Sequence, residues 1–499
     1  MKKDFMTIFA TNFFRVHKLG KGFFFLLFTF FVTNPVCSQS YTLNEIIEYA
    51  QKNSPEAIRI ETAKENKYWQ WRTYKSNYKP QLVLNSEFPY QNRNIPVLQD
   101  DGSIVYRRVN QSEATVDISL EQNISLTGGK LFLSSDLSRV DNFDGNMHSY
   151  SNSPFYIGIE QPVFRFNELK WMNKIEPLKY EESQREFIEN NERIAYNTAY
   201  HFFNLLIAQI NLRIANANLQ TADTIFKTGQ EKYAMGKISR NELLQLKFGV
   251  ITAQKSKSKA MLSRETSQLE LSSYTGLLVT ETATLAIPDK IHHFFIDDSM
   301  AVEKALENSQ RSLAFKREVL EAQRDLVKAK RESGLNANLQ LSYGTTNVAN
   351  DVTSLYREPQ TLQTVNIGLS IPILDWGRAK AKRETALANL KLAEHTVEQD
   401  RINFRQEIIT QVEYFSMLQG FIEYTRDANQ TATERYEIAR LRYIAEDISL
   451  TEYNIALEQK DYARQDYITA LRDYWVTYYT IRILTLHDFE NNRQLSTIN

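Results

Sequence analysis

The residues best suited to chemistry in this 499-residue chain do not gather into a catalytic set. His292 and His293, in "PDKIHHFFIDD", are the one adjacent pair among seven histidines. Two neighbouring imidazoles supply too few ligands for a metal centre. "GGK" at 128–130 and "GKIS" at 236–239 lack the glycine spacing and the following Ser/Thr of a phosphate loop. Neither a nucleophile elbow nor a His-Glu-x-x-His zinc helix is present. We therefore expect no enzyme activity, no catalytic residue, no metal and no cofactor. The polar residues that do recur lie in two short segments: Gly236, Lys237, Ser239 and Arg240 in "YAMGKISRNELLQLK", and Arg442, Glu446, Asp447, Ser449 and Glu452 in and just before "YIAEDISLTEYNIAL". Ser239-x-x-Glu242 and Ser449-x-x-Glu452 both match the capping box. In it the serine accepts a backbone N–H and the glutamate reaches back to the cap. The chemistry expected here is conformational and electrostatic: a helix restarts, and charges collect at its tip.

The elements that position these segments come twice. "YIGIEQPVFRFNELK" (156–170) aligns with "NIGLSIPILDWGRAK" (366–380), and "NLQTADTIFKTGQEKY" (218–233) with "ANQTATERYEIARLRY" (428–443). One register holds from strand to helix break. Upstream, "EYAQKNSPEA" (48–57) resembles "EKALENSQRS" (303–312) in a longer register, so the first copy carries an insertion around 91–150. The repeats predict a first unit over 39–290 and a second over 291–499. Each opens with a helix, about 43–78 and 299–333, and the first is interrupted at "NSPE". Strands follow at about 80–88 and 155–163 in copy one, and at 336–344 and 364–373 in copy two, two per copy. Each copy ends in a helical hairpin with its tip near 236–239 or 446–449. The long tracts, about 167–235 and 377–445, would each reach ~100 Å. Ile408, Val412, Phe415, Leu418 and Ile422 form a helical apolar stripe. Only 16 glycines and 11 prolines suit such helices.

A leader is expected over 1–38. Lys2, Lys3, Arg15, Lys18 and Lys21 precede the apolar run "GFFFLLFTFFV" (22–32), and Val36 and Ser38 fit a cleavage site near Ser38. An uncleaved anchor is the alternative. Cys37, the one cysteine, is a second open point: it is removed with the leader or lipidated, and the bulk of Val36 counts against lipidation. A formal net charge of −1 gives no reason to expect a nucleic-acid partner. Trp69, Trp71, Tyr74, Tyr78 and Trp376 flank the strands, where rings sit at a membrane interface or simply pack between helices.

Helices of ~100 Å cannot bury their stripes inside a compact monomer. Four strands cannot close a barrel, and open edges cannot face lipid. Several copies pooling helices and strands would meet both demands. The layout resembles the TolC family of outer-membrane efflux and secretion ducts. The resemblance is carried by "SIPILDWGRAKAKRETALANLKLAE" (370–394) and by "RYIAEDISLTEYNIALEQKDYARQDYITALRDYW" (442–475). The second is similar to the family's tip motif at Tyr443, Glu446, Ser449, Glu452 and Ala456.

The resemblance implies a mainly α two-repeat fold with a membrane β-barrel: a homotrimer whose α-helical periplasmic tunnel joins a shared twelve-stranded barrel. It also implies residence among outer-membrane lipid, a periplasmic adaptor (membrane fusion protein) and an inner-membrane RND or ABC transporter. The expected role is passive conduction to the exterior in an efflux or type I secretion system, gated at the tips. Arg442, Glu446, Asp447 and Glu452 are the gate candidates; Gly236, Lys237, Ser239, Arg240 and Ser449 are the adaptor-contact candidates. The cargo (drug, metal ion or polypeptide) is not written in these residues. Two departures stand out. Glu446 replaces the motif's glycine, so the second tip is expected to turn differently from the first. Residues 114–140, around Gly128-Gly129, are either an extra hairpin of the barrel or a cap-like outer loop. An exported coiled-coil rod without conductance is the alternative reading, and strands long enough to cross a membrane would count against it.

Overall fold

The computed structural model describes residues 40–280, 283–288 and 291–496. The expected leader and Cys37 lie outside them. The chain opens with the two-residue strand β1 (Ser40–Tyr41), then α1 (Leu43–Asn53) and α2 (Pro55–Ser76). Five strands follow: β2 (Gln81–Glu87), β3 (Tyr90–Leu98), β4 (Ile104–Ile124), β5 (Gly129–Asn142) and β6 (Met147–Val163). The first hairpin is α3 (Glu168–Ala234) with α4 (Arg240–Thr275). β7 (Thr284–Leu285) pairs with β1 and leads to α5 (Asp298–Asn308) and α6 (Gln310–Glu332). β8 (Asn336–Ala349), β9 (Gln360–Ser370), α7 (Arg378–Ile444) and α8 (Leu450–Thr485) repeat the plan, and the short strands β10 (His487–Asp488) and β11 (Arg493–Gln494) close the described chain.

The two copies match closely. α3 and α7 have 67 residues each, or ~100 Å, and α4 and α8 have 36 each. The first helix breaks in both copies, not in the first alone. Ser54 (φ −67°, ψ 151°) and Ser309 (φ −67°, ψ 149°) hold the same extended cap conformation and accept from Ala57 N and Ser312 N. The second break lacks a proline, which is why the sequence read as continuous there: the serine alone stops and restarts the helix.

The core lies where the hairpin roots meet α1 and α5. Phe202, Phe203, Phe404, Phe415, Ile408, Leu271 and Ile468 are buried together. The stripe from Ile408 to Ile422 is buried throughout, as its spacing predicts. Arg482 on α8 donates to both carboxylate oxygens of Glu192 on α3, at 2.7 and 2.9 Å, and approaches Asp488 at 3.3 Å. A buried ion pair with a fixed partner ties one hairpin to the other.

The strands form one antiparallel sheet in the order β2-β4-β5-β6-β8-β9, with β3 extending β2 along the upper half of β4. The expectation of two strands per copy is corrected: the first copy supplies four across the sheet and the second two. The insertion is the extra hairpin β4–β5, not a loop. Alternation explains why it joins the sheet. Val116, Ile118 and Leu120 point to one face with Leu131 and Leu133, while Asp117, Ser119, Ser134 and Asp136 point to the other. Gly158 lets the sheet close over Phe132; a Cβ there would overlap the ring and come within 2.8 Å of the Leu341 carbonyl. Among the described residues no helix is long and apolar enough to cross a membrane.

Candidate gate and docking site at the hairpin tips

Each long helix stops in the same way. The Met235 N–H donates to Glu231 O at 3.1 Å, Gly236 N to Tyr233 O at 2.9 Å and Lys237 N to Lys232 O at 2.9 Å. The second tip repeats this with Ala445 N to Leu441 O at 3.0 Å, Glu446 N to Tyr443 O at 3.1 Å and Asp447 N to Arg442 O at 2.9 Å. Gly236 turns at φ +71° and Glu446 at φ +61°. The expectation that Glu446 forces a different turn is therefore corrected. Glycine adopts this left-handed conformation without steric cost, whereas glutamate carries its Cβ against the following carbonyl. The remaining bonds of the turn are strong enough to hold it there.

Both capping boxes form. The Ser239 N–H donates to Glu242 Oε2 at 2.8 Å, and Ser239 Oγ accepts from Glu242 N at 3.2 Å. Ser449 and Glu452 repeat the pair at 2.9 and 3.2 Å. Glu452 also accepts from the Ser449 hydroxyl at 2.9 Å. The Ser449 N–H and then its hydroxyl hold the Glu452 carboxyl below its usual range. Its charge is thus tied to the turn.

The other gate candidates form two ion pairs. Arg442 Nε donates to Asp447 Oδ2 at 2.7 Å, bracing the second tip internally. Glu446 reaches across to Lys232 on α3, with Nζ 2.5 Å from Oε1. The Lys232 ammonium lowers the Glu446 pKa by hydrogen bond and by charge. The strained residue of one tip is thus clasped by the base of the other. Lys232 was not among the candidates: its partner lies far along the chain, and no local pattern marks such a pair.

An aromatic stack backs the second tip. The Tyr443 ring lies on Tyr453 with centroids 5.1 Å apart, and Tyr436 sits 6.0 Å from the same ring. Tyr453 is 2% exposed, and burial pushes its phenol up. The first tip has Leu243 at the corresponding position and an exposed Tyr233. Gly236, Lys237, Ser239 and Arg240 all stay exposed, as does Ser449. The structure therefore brings Arg442, Asp447, Ser449 and Glu452 into one turn and links Glu446 to the first hairpin. Lys237 and Arg240 remain on the open end.

Two further surfaces bear on what the tips control. Leu244, Phe248, Ile251, Leu262 and Leu269 leave an exposed apolar stripe along α4; Tyr414, Met417, Phe421, Tyr424 and Ile438 leave another along α7. Their steps of three, four, seven, eleven and fourteen residues are whole turns of helices that pack along a seam. On the sheet, Leu82, Leu120, Leu133 and Ile157 form a row on the apolar face, and Asn85, Asp117, Asp136 and Ser153 a row on the polar face. A sheet apolar outside and polar inside is the pattern of a membrane barrel wall. Of the flanking aromatics, Trp71 stacks on Tyr180 at 5.0 Å, and Tyr74 and Tyr78 donate to Asn173 Oδ1 and Leu169 O. These three serve helix packing, while Trp69 and Trp376 stay exposed. Among the described residues no group of three or more His, Cys, Asp or Glu is placed to hold a metal ion.

The sequence model of the family described as "Outer membrane efflux protein" matches residues 108–277 and 301–484, more than half of the chain. No curated protein sequence matches. Among solved structures, a membrane protein from Pseudomonas aeruginosa is similar at 14% identity with a TM-score of 0.64, over 92% of each chain. The Campylobacter jejuni CmeC outer membrane channel is similar at 14% and 0.63, over 91% of this chain and 86% of that one. The open state of the Neisseria gonorrhoeae MtrE outer membrane channel is similar at 14% and 0.62, over 91% of each. At such identities the likeness is one of fold.

Proposed function

The chain belongs to the outer membrane efflux protein family, whose members are efflux channels of the outer membrane, and from that premise we propose that it is the exit duct of a tripartite efflux or type I secretion machine. In this reading three copies form the duct. A periplasmic adaptor and an inner-membrane RND or ABC transporter deliver substrate to its periplasmic end, and the duct conducts passively to the exterior. The observation that carries the reading is the coupling, in one chain, of two equal ~100 Å hairpins to a sheet apolar on one face and polar on the other. The unpartnered stripes of α4 and α7 support the assembly, since each would bury the other's in a neighbouring copy.

The gate works by charge and turn geometry. The Lys232–Glu446 and Arg442–Asp447 pairs hold the tips in one arrangement. Exposed pairs of this kind are weak, so docking of an adaptor can displace them. Lys237 and Arg240 on the first tip offer the adaptor a basic contact, and Gly236, Ser239 and Ser449 shape the turns it meets. The test is reconstitution of the full chain in a planar lipid bilayer. Stepwise conductance that rises when the tip pairs are removed is expected; a protein that inserts but never conducts would overturn the reading.

A further inference from the structure

We propose that the sheet is completed by copies of the same chain, β9 of one against β2 of the next, so that three copies close a barrel of 18 strands, six from each. The inference rests on the trimeric reading above and departs from the twelve strands that the family resemblance implies.

The extra hairpin is part of the wall and does not cap its mouth. All six strands share one lower rim, at the pairs Gln81↔Glu121, Ile124↔Gly129, Lys130↔Glu160, Val163↔Ala337 and Asn336↔Ser370. The β4–β5 turn is fastened to the helical end of the molecule. Asn123 Nδ2 donates to Asn77 O at 3.0 Å, Gln122 Nε2 to Tyr78 O at 3.0 Å, and Asn167, the cap of α3, to Ser125 O at 2.9 Å. A cap over the outer mouth would place this turn at the opposite end.

The two edges fit each other. β2 runs away from the rim and β9 runs toward it, so copies placed side by side pair antiparallel, as every pair within this sheet does. The apolar face continues across such a junction, since Leu82 and Leu84 on β2 and Val365, Ile367 and Leu369 on β9 are all exposed. Within the chain the sheet is open from β2 to β9, and six strands are fewer than the ~8 of the smallest membrane barrels. Open edges facing lipid leave backbone donors and acceptors without partners. A second copy presents an edge of the right direction and facing at the right level. Barrel diameter grows roughly linearly with strand number, so the exit would be about 1.5-fold wider than with twelve strands.

The full chain, purified and placed in nanodiscs of phosphatidylethanolamine and phosphatidylglycerol, should be imaged by electron cryomicroscopy down the barrel axis. A trimer with 18 wall strands is expected. A trimer with twelve, and residues 104–142 lying outside the wall, would overturn the inference while leaving the trimeric reading intact. A particle of any other copy number would overturn that reading. The strands counted per copy, six or four, would then still decide whether the hairpin lines the wall.

Discussion

Lys232 and Glu446 lie in different hairpins, yet their side chains meet with Nζ 2.5 Å from Oε1. The contact joins the two tips, and one partner sits in a left-handed turn that glycine would hold more easily. Glu446→Gly removes charge and strain together; Glu446→Gln removes the charge alone. Both should raise open probability in a planar bilayer. Only the glycine variant should keep the full thermal stability of the parent. Equal stability of the two variants would show that the turn stores no strain.

The same pair sets a pH dependence. Lys232 depresses the Glu446 pKa below 4.5, so its stabilising link is present above that value and is lost as pH falls through the lower folded-state value. Conductance should stay level from about pH 8 to about pH 5 and rise only in more acid solution. In Glu446→Gln that acid rise should shrink. A rise centred near neutral pH would point instead to a histidine.

The caps predict a graded loss. Ser239→Ala or Ser449→Ala removes the acceptor for Glu242 N or Glu452 N, at about 1 kcal/mol each. Amide exchange at residues 240–243 or 450–453 should speed up several-fold, with the hairpin roots unchanged. Exchange equal to the parent would remove the cap from the account.

Arg482→Ala should be far more damaging than any tip change. It strands Glu192 in a buried site and leaves Asp488 only the more distant Arg493 at 3.5 Å; removing one partner of a buried ion pair costs about 3–5 kcal/mol. The apparent melting temperature should fall sharply, and Arg482→Lys should recover only part because it lacks the two-pronged geometry. A small change would mean that water reaches the site.

The sheet gives a packing test. Gly158→Ala forces a Cβ into the Phe132 ring and toward the Leu341 carbonyl, with a cost of about 1–3 kcal/mol. Phe132→Leu in the same chain should relieve the ring clash but not the backbone one. Full recovery would show that the carbonyl contact is soft.

Helix lengths, the duplicated plan and both capping boxes were legible because each depends on local periodicity or on residues three apart. The break at Ser309 was missed because it carries no proline to match Pro55. The turn at Glu446 was misread because left-handed glutamate is rare, and only the shared bonding of Tyr443 and Arg442 shows that the turn is kept. The hairpin β4–β5 had the alternation of a strand pair. Its place in the sheet shows only in its pairing with β2 and β6 and in contacts such as Asn123 to Asn77, which no sequence pattern records. Lys232 stayed hidden for the same reason, since its partner belongs to the other repeat.

In the proposed assembly separate copies share one hollow wall through the stripes of α4 and α7. Phe248 and Ile438 are exposed on these stripes at similar depth, about two turns from their tips. In a Cys37→Ser background, Phe248→Cys with Ile438→Cys should oxidise to a covalent trimer, and either cysteine alone should not yield it. A chain that stays monomeric on a non-reducing gel, while inserted in membranes and fully oxidised, would contradict the account.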